Sequence, residues 1–257
     1  MQRRAFLRLS LGLGTLLLAV SPAWAAITES ALTSGQSGVD VTSATTASIT
    51  ITANQLALLT VGVGSGVGTA NTPTVTMTGA TWVVAVTNIH TGVSYAVWVF
   101  RTMVGSDTTA TVTIDFAGQT QDRINWSIAQ FDAVDTSGTN GSGAIVQTKT
   151  AFNATTTAAT VTLDSAIGAG NATYGGFLSE TSGTFTAGSG YSLIHNVSWS
   201  NGHTGNIGTE WRADGQTVVN GTFSGTAHIL SMGLEIKAAD AGAAPATPQR
   251  SLLGVGQ

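Results

Sequence analysis

The sequence predicts an all-β fold, a two-sheet antiparallel β-sandwich of jelly-roll type. Three observations predict it. Past Ile27, nearly every segment alternates β-branched or aromatic residues with small polar ones, and Gly, Asn, Asp or Ser bounds each run. No twelve-residue window in that region combines helical periodicity with capping residues. About fourteen short strands follow from the pattern, too many for one open sheet, which would curl or split into two packed layers.

The elements follow in order. Residues 1–25, MQRRAFLRLSLGLGTLLLAVSPAWA, join a basic start (Arg3, Arg4, Arg8) to an apolar run and end on Ala23-Trp24-Ala25, a small-x-small cleavage signal. A secretory signal peptide is expected, its core too short to span a membrane. Arg3-Arg4-Ala5-Phe6-Leu7 is similar to the twin-arginine export signal. Gln2 and Arg8 stand where that signal prefers a hydroxyl residue and a lysine, so both export routes stay open. The destination is periplasmic, cell-surface or extracellular.

Residues 26–46, rich in Thr, Ser and Gly, are expected to run extended at the edge of the fold. The sandwich domain is expected over 47–239, and 240–257 reads as a flexible Ala/Pro-rich tail. Within the domain, strands are predicted at 47–52, 56–63, 73–78, 81–88, 93–103, 109–117 and 123–132. Further strands are predicted at 143–150, 158–164, 171–180, 191–199, 206–213, 216–223 and 226–237. In SYAVWVF, Tyr95, Val97 and Val99 share one face, and Ala96, Trp98 and Phe100 the other; both faces are apolar, which predicts a central strand. In RINWSIAQ, Ile124, Trp126 and Ile128 alternate with Asn125, Ser127 and Ala129, which predicts a polar or lightly covered second face. The phrases TVTM (74–77), TVTI (111–114) and TVTL (160–163) recur at unequal spacing and read as strand composition, not as a repeat.

Composition excludes several functions. Charged residues make up 9% of the chain, against roughly 25% in an average soluble domain. Removing residues 1–25 leaves six basic against thirteen acidic residues, a formal balance of −7 that argues against nucleic acid as a partner. The chain has no cysteine, so disulfides, thiol chemistry and Cys-ligated zinc are excluded. VGVGSGVG (61–68) lacks the following helix and the Gly-Lys-Ser/Thr of a phosphate loop, and no serine has glycine at both −2 and +2.

The remaining candidates are few. Exposed Trp rings stack on sugars, which directs attention to Trp199 in NVSW and to Trp211, Arg212 and Asp214 in TEWRADG; the alternative is that these rings fill the core. Glu180 and Glu210 would be the carboxylate pair of a glycosidase if they met in space. His195, His203 and Glu210 could ligate zinc, although their spacing matches no established signature, and His228 shares a face with Leu230, Met232, Leu234 and Ile236 as a core residue would. FDAVDTSGTNGSGAIVQT (131–148) fails the EF-type ligand spacing. It reads as a chain of Asx-turns, with Asp135 and Asn140 bonding local amides and Gly138, Gly141 and Gly143 at positive φ. The other reading is a looser calcium site of Asp132, Asp135 and Asn140; no other cofactor is expected.

WVFRTMVGS (98–106), VTIDFAGQ (112–119), the 131–148 segment, TEWRADGQTVV (209–219) and LEIKAA (234–239) together resemble a widespread family of β-sandwich proteins. That family occurs among bacterial secreted proteins and in phage or prophage structural regions. The resemblance covers about residues 45–239 and implies a fold, with no assigned activity and no catalytic residue to transfer. The expected function is non-catalytic: surface or extracellular-matrix binding, or assembly in which the N-terminal segment adds a strand to a neighbour's sheet edge. The alternatives are a lectin-like carbohydrate-binding module and a polysaccharide-active enzyme of jelly-roll type.

Overall fold

The computed structural model describes residues 25–64, 68–90, 94–200 and 204–240. Among them lie seventeen strands and no helix, arranged as an antiparallel sandwich.

A five-stranded sheet forms the centre. Its order is β1 (Thr28–Gln36), β11 (Arg123–Asp132), β4 (Leu56–Gly64), β8 (Tyr95–Thr102) and β7 (Val83–His90). A six-stranded sheet covers one face in the order β12 (Ile145–Thr162), β17 (Val218–Ile236), β13 (Ala172–Ser179), β16 (Gly205–Arg212) and β15 (Ser192–Trp199), with β14 (Phe185–Ala187) also paired to β17. The other face carries a third layer. It consists of a four-stranded sheet, β2 (Ser43–Thr45), β10 (Thr113–Asp115), β5 (Thr74–Met77) and β6 (Ala80–Thr81), and a pair, β3 (Ile49–Ile51) with β9 (Thr108–Ala110). The first eleven strands build the central sheet and third layer; the last six build the six-stranded sheet.

Burial on both faces explains the central position of β4 and β8. Tyr95, Val97 and Val99 join Leu178, Ile207, Leu230 and Met232 of the six-stranded sheet in one core. Ala96, Trp98 and Phe100 join Ile49, Ile51, Val112 and Ile114 in the other. The two-faced apolar alternation of β8 is thus used as predicted, each large side chain contributing about 1.5–3 kcal/mol of burial.

The expectation for β11 is corrected. Asn125, Ser127 and Ala129 are buried, not lightly covered. Ser127 Oγ lies 2.9 Å from His195 Nδ1 and 2.8 Å from Thr209 Oγ1, while Thr60 Oγ1 meets the Tyr174 hydroxyl at 2.6 Å. A polar strip is affordable between two sheets because the facing sheet supplies partners for it. Burial lowers the His195 pKa and raises that of Tyr174.

β12 and β17 each run through what the sequence pattern divides in two. Register shifts at Asn153/Thr156 and Thr156/Ala158, with Thr155 at φ 50°, absorb the broken alternation without ending the strand. In VGVGSGVG, Val61–Gly64 completes β4, and residues 65–67 fall outside the described set. A Cβ on Gly62 would come within 2.8 Å of Ile207, so that glycine serves close sheet packing.

The 26–46 segment is an integral part of the fold. β1 pairs with β11 from Thr28↔Asp132 to Gln36↔Asn125, and β2 pairs with β10. The strand expected to be donated to a neighbour is therefore engaged within its own chain. Residues 1–24 and 241–257, which carry most of the export signal and the tail, lie outside the described residues. Among the described residues no helix is long and apolar enough to cross a membrane.

Candidate functional site

The most organised polar group lies at one end of the six-stranded sheet. The register aligns Gln147 of β12, Glu235 of β17 and Thr173 of β13 in one row. Inner-face neighbours Leu234 and Ile236 are core residues, so Glu235 points to the opposite face, where the 163–171 connection folds over it. Its carboxylate is 1% exposed and accepts from three donors. Oε1 takes the Gly168 N–H at 2.8 Å and Asn171 Nδ2 at 2.6 Å, and Oε2 takes Gln147 Nε2 at 2.6 Å.

The donors are themselves fixed. Gln147 clasps the backbone of Ser165, donating to its carbonyl at 3.1 Å and accepting its N–H at 3.0 Å. Asn171 Oδ1 accepts from the Ala238 N–H at 3.0 Å. A Cβ on Gly168 would sit 2.6 Å from Asn171 Nδ2, so the loop approaches the carboxylate only as glycine. Above this floor opens a pocket of about 450 Å³, lined by Gln147, Asn171, Glu235, Lys237 and Asp240 among others. A second pocket of about 380 Å³, lined by Ala26, Ile167 and Asp214, shares Gly168, Ala169 and Asn171 with the first.

Two of the regions singled out in the sequence meet this end of the domain. Asp135 Oδ2 receives Lys237 Nζ at 2.5 Å, and the chain is zipped there by Asp135 N to Lys237 O and Lys237 N to Ala144 O. The Lys237 ammonium and the Ser137 hydrogen bonds hold the Asp135 pKa down to about 2. A folded pKa below the unfolded value makes the contribution of this pair complete above about pH 4 and lost as pH falls through about 2. Lys237→Met is expected to return Asp135 toward its ordinary carboxylate value in an NMR titration; an unmoved Asp135 would assign the shift elsewhere.

The 131–148 segment is a turn chain in the structure. The Ser137 N–H bonds Asp135 Oδ1 at 2.7 Å, the expected Asx-turn, and Gly138 and Gly141 take φ of 77° and 75°. Gly143 does not share their conformation; Asn140, at φ 50°, does. Gly143 is needed for space, since a Cβ there would meet Ser137 Oγ at 2.2 Å. Asp132 accepts from its neighbour Ala133 N–H, Asp135 from Lys237, and the Asn140 carbonyl from Arg101 Nη1 at 2.5 Å. Asp132 and Asp135 are each engaged by a separate partner, and at Asn140 the engaged atom is the main-chain carbonyl, not the side chain. Among the described residues no three His, Asp or Glu side chains cluster to hold a metal.

The aromatic quartet is divided. Arg212 and Asp214 form a bidentate ion pair, with Nη2–Oδ2 at 2.8 Å, and Asp214 lines the second pocket. Arg212 also lies over the Tyr191 ring and reaches the Ser189 carbonyl at 3.1 Å. Trp211 is half-buried and edge-on to Phe131, with centroids 6.0 Å apart. Trp199 pairs with Gly205, six residues from Trp211 along β16, about 20 Å away at strand rise. It is 3% exposed and packed in the core, so it offers no ring to a sugar.

The catalytic and zinc combinations do not assemble. Glu210 pairs with Gly175, and Glu180 lies five residues further along, roughly 16 Å at strand rise, beyond the roughly 5–9.5 Å that glycosidase carboxylates require. His195 faces the central sheet through Ser127, whereas Glu210 faces away and accepts from the Gly188 N–H at 2.8 Å; His203 lies outside the described residues. His228 is not a core residue. Its side chain is 36% exposed, with Nδ1 2.6 Å from Glu180 Oε2 and its ring stacked 5.4 Å from Phe152.

Sequence reasoning passed over Glu235, Gln147 and Asn171. The signal was present in HILSMGLEIKA, where one carboxylate interrupts an apolar run and so must find partners inside the fold. Comparison with protein-family models, with curated proteins and with solved structures finds no match to this chain.

Proposed function

We propose that this domain is a non-catalytic binding module of an exported protein, and that the Glu235 pocket receives an uncharged, hydroxyl-rich ligand, a sugar residue of a surface or matrix glycan. The observation that carries this reading is the fixation of Glu235 by three donors at the floor of a 450 Å³ pocket. A carboxylate and amides already held in place pay little further ordering cost when a hydroxyl arrives.

Charge supports the same class of ligand. Lys237 is tied to Asp135, with Asp240 4.0 Å from its ammonium, so the pocket carries no free cation for an anionic group. Glu235 and Asp240 in the lining disfavour anions further. A turnover role lacks support, since Glu180 and Glu210 stand far apart on opposite faces of the sheet.

Calorimetric titration with a panel of neutral mono- and oligosaccharides tests the proposal. One class of sugar is expected to bind, and Gln147→Ala to weaken it about tenfold, which corresponds to about 1.4 kcal/mol. Absence of binding across the panel, or binding indifferent to Gln147→Ala and Asp240→Asn, would overturn it.

A further inference from the structure

The second pocket adjoins the first and is built in the same way. Gly168, Ala169 and Asn171 line both cavities, so the 163–171 connection between β12 and β13 stands between them. Residues 168–170 are exposed, and no side chain longer than the Ala169 methyl stands on that stretch. The turn is closed by the Asn171 N–H, which bonds the Gly168 carbonyl at 3.1 Å, with Gly170 at φ 79°. A ligand can therefore pass from one cavity to the other without meeting a bulky group.

Each cavity also has a carboxylate fixed by donors. In the second it is Asp214, whose Oδ1 accepts from Arg212 Nε and whose Oδ2 accepts from Nη2 at 2.8 Å. Arg212 is held in turn by the Ser189 carbonyl and lies over the Tyr191 ring. Gly215 seats this turn on the connection, since a Cβ there would meet Ile167 Cγ2 at 2.5 Å and the Asn171 carbonyl oxygen at 3.0 Å. The Asp214 side chain is 68% exposed, so lone pairs that Arg212 leaves free can accept from a ligand hydroxyl.

We propose that the two pockets are adjoining subsites of one site, and that its ligand is a neutral glycan chain of at least two linked sugar residues, one at Glu235 and the next at Asp214. The inference rests on the glycan reading of the Glu235 pocket and adds chain length to it. The cavities, of about 450 and 380 Å³, each fall within the roughly 300–1,000 Å³ of small-molecule sites. A free monosaccharide fills only one of them. A second residue linked to the first enters the neighbouring cavity without a second loss of translational freedom, so affinity rises with chain length. Asp214 is thereby the residue that separates a chain from its monomer. Charge along the path again selects a neutral chain: Glu235, Asp240 and Asp214 line it, while Lys237 and Arg212 are each tied to an aspartate.

Calorimetric titration of a neutral monosaccharide and its linked disaccharide into wild type, Asp214→Ala and Gln147→Ala tests the inference. Wild type is expected to bind the disaccharide about tenfold or more tightly than the monosaccharide. Asp214→Ala is expected to abolish most of that gain and to leave monosaccharide affinity within about twofold, and its fold should survive because exposed ion pairs contribute little stability. Gln147→Ala is expected to weaken both ligands by about the same factor. A disaccharide no tighter than its monomer, or a gain that Asp214→Ala leaves intact, overturns the two-subsite inference while the Glu235 pocket keeps its sugar. Absence of binding by any sugar overturns both.

Discussion

Between pH 5 and 9, the wild-type domain is expected to lose on the order of 4 kcal/mol of stability that Glu210→Gln does not lose. Glu210 is 0% exposed beneath the 188–191 connection; Oε2 accepts from the Gly188 N–H, and Oε1 has no partner. Burial pushes its pKa up to about 8 from the ordinary 4.5, the single hydrogen bond offsetting part of the effect. Between these values the folded protein binds a proton that the unfolded chain does not, so stability falls as pH rises and levels off above about 8. Glutamine is neutral throughout and can still accept from Gly188. Urea denaturation at several pH values measures the difference. Parallel curves for wild type and variant would show that Glu210 is ionised in the fold.

Gly208→Ala is expected to destabilise the domain by about 3 kcal/mol or more, at the upper end of overpacking costs. The new Cβ would sit 2.1 Å from Phe185 Cγ, and a Cβ on Gly221 would sit 2.3 Å from Phe185 Cζ. The Phe185 ring thus lies flat on two strand backbones where side chains are missing, held by Phe177 at 5.2 Å and Phe223 at 5.0 Å. Phe185→Ala alone is expected to cost about 3–5 kcal/mol. In that background Gly208→Ala should cost less than about 1 kcal/mol, because the clash is gone. Additive costs in chemical denaturation would show that the ring yields without resistance.

Both predictions rest on features that local pattern leaves invisible. Gly208 and Gly221 look like ordinary strand glycines until β14 folds across them. Glu210 reads as one half of a polar strand end, yet the 188–191 connection covers it. The reverse holds for Trp199, which its polar neighbours suggest is exposed and which Gly205 admits into the core.

The sandwich itself was legible because burial demand repeats every two residues. β8, apolar on both faces, could only be central, and the Asx-turn at Asp135 follows from a carboxylate two residues before a free amide. The polar face of β11 was misread because period-two reasoning sees one strand at a time. Whether Ser127 meets water or His195 and Thr209 depends on which strand arrives opposite it.

The same division separates class of fold from site. Alternation and glycine punctuation determine an all-β chain, since each is a local property of successive residues. The gathering of Gln147, Asn171 and Glu235 depends on sheet order and register between residues up to 88 positions apart. Only packing of the whole chain chooses those partners, because the free energy that selects a register is the burial of an entire face at once.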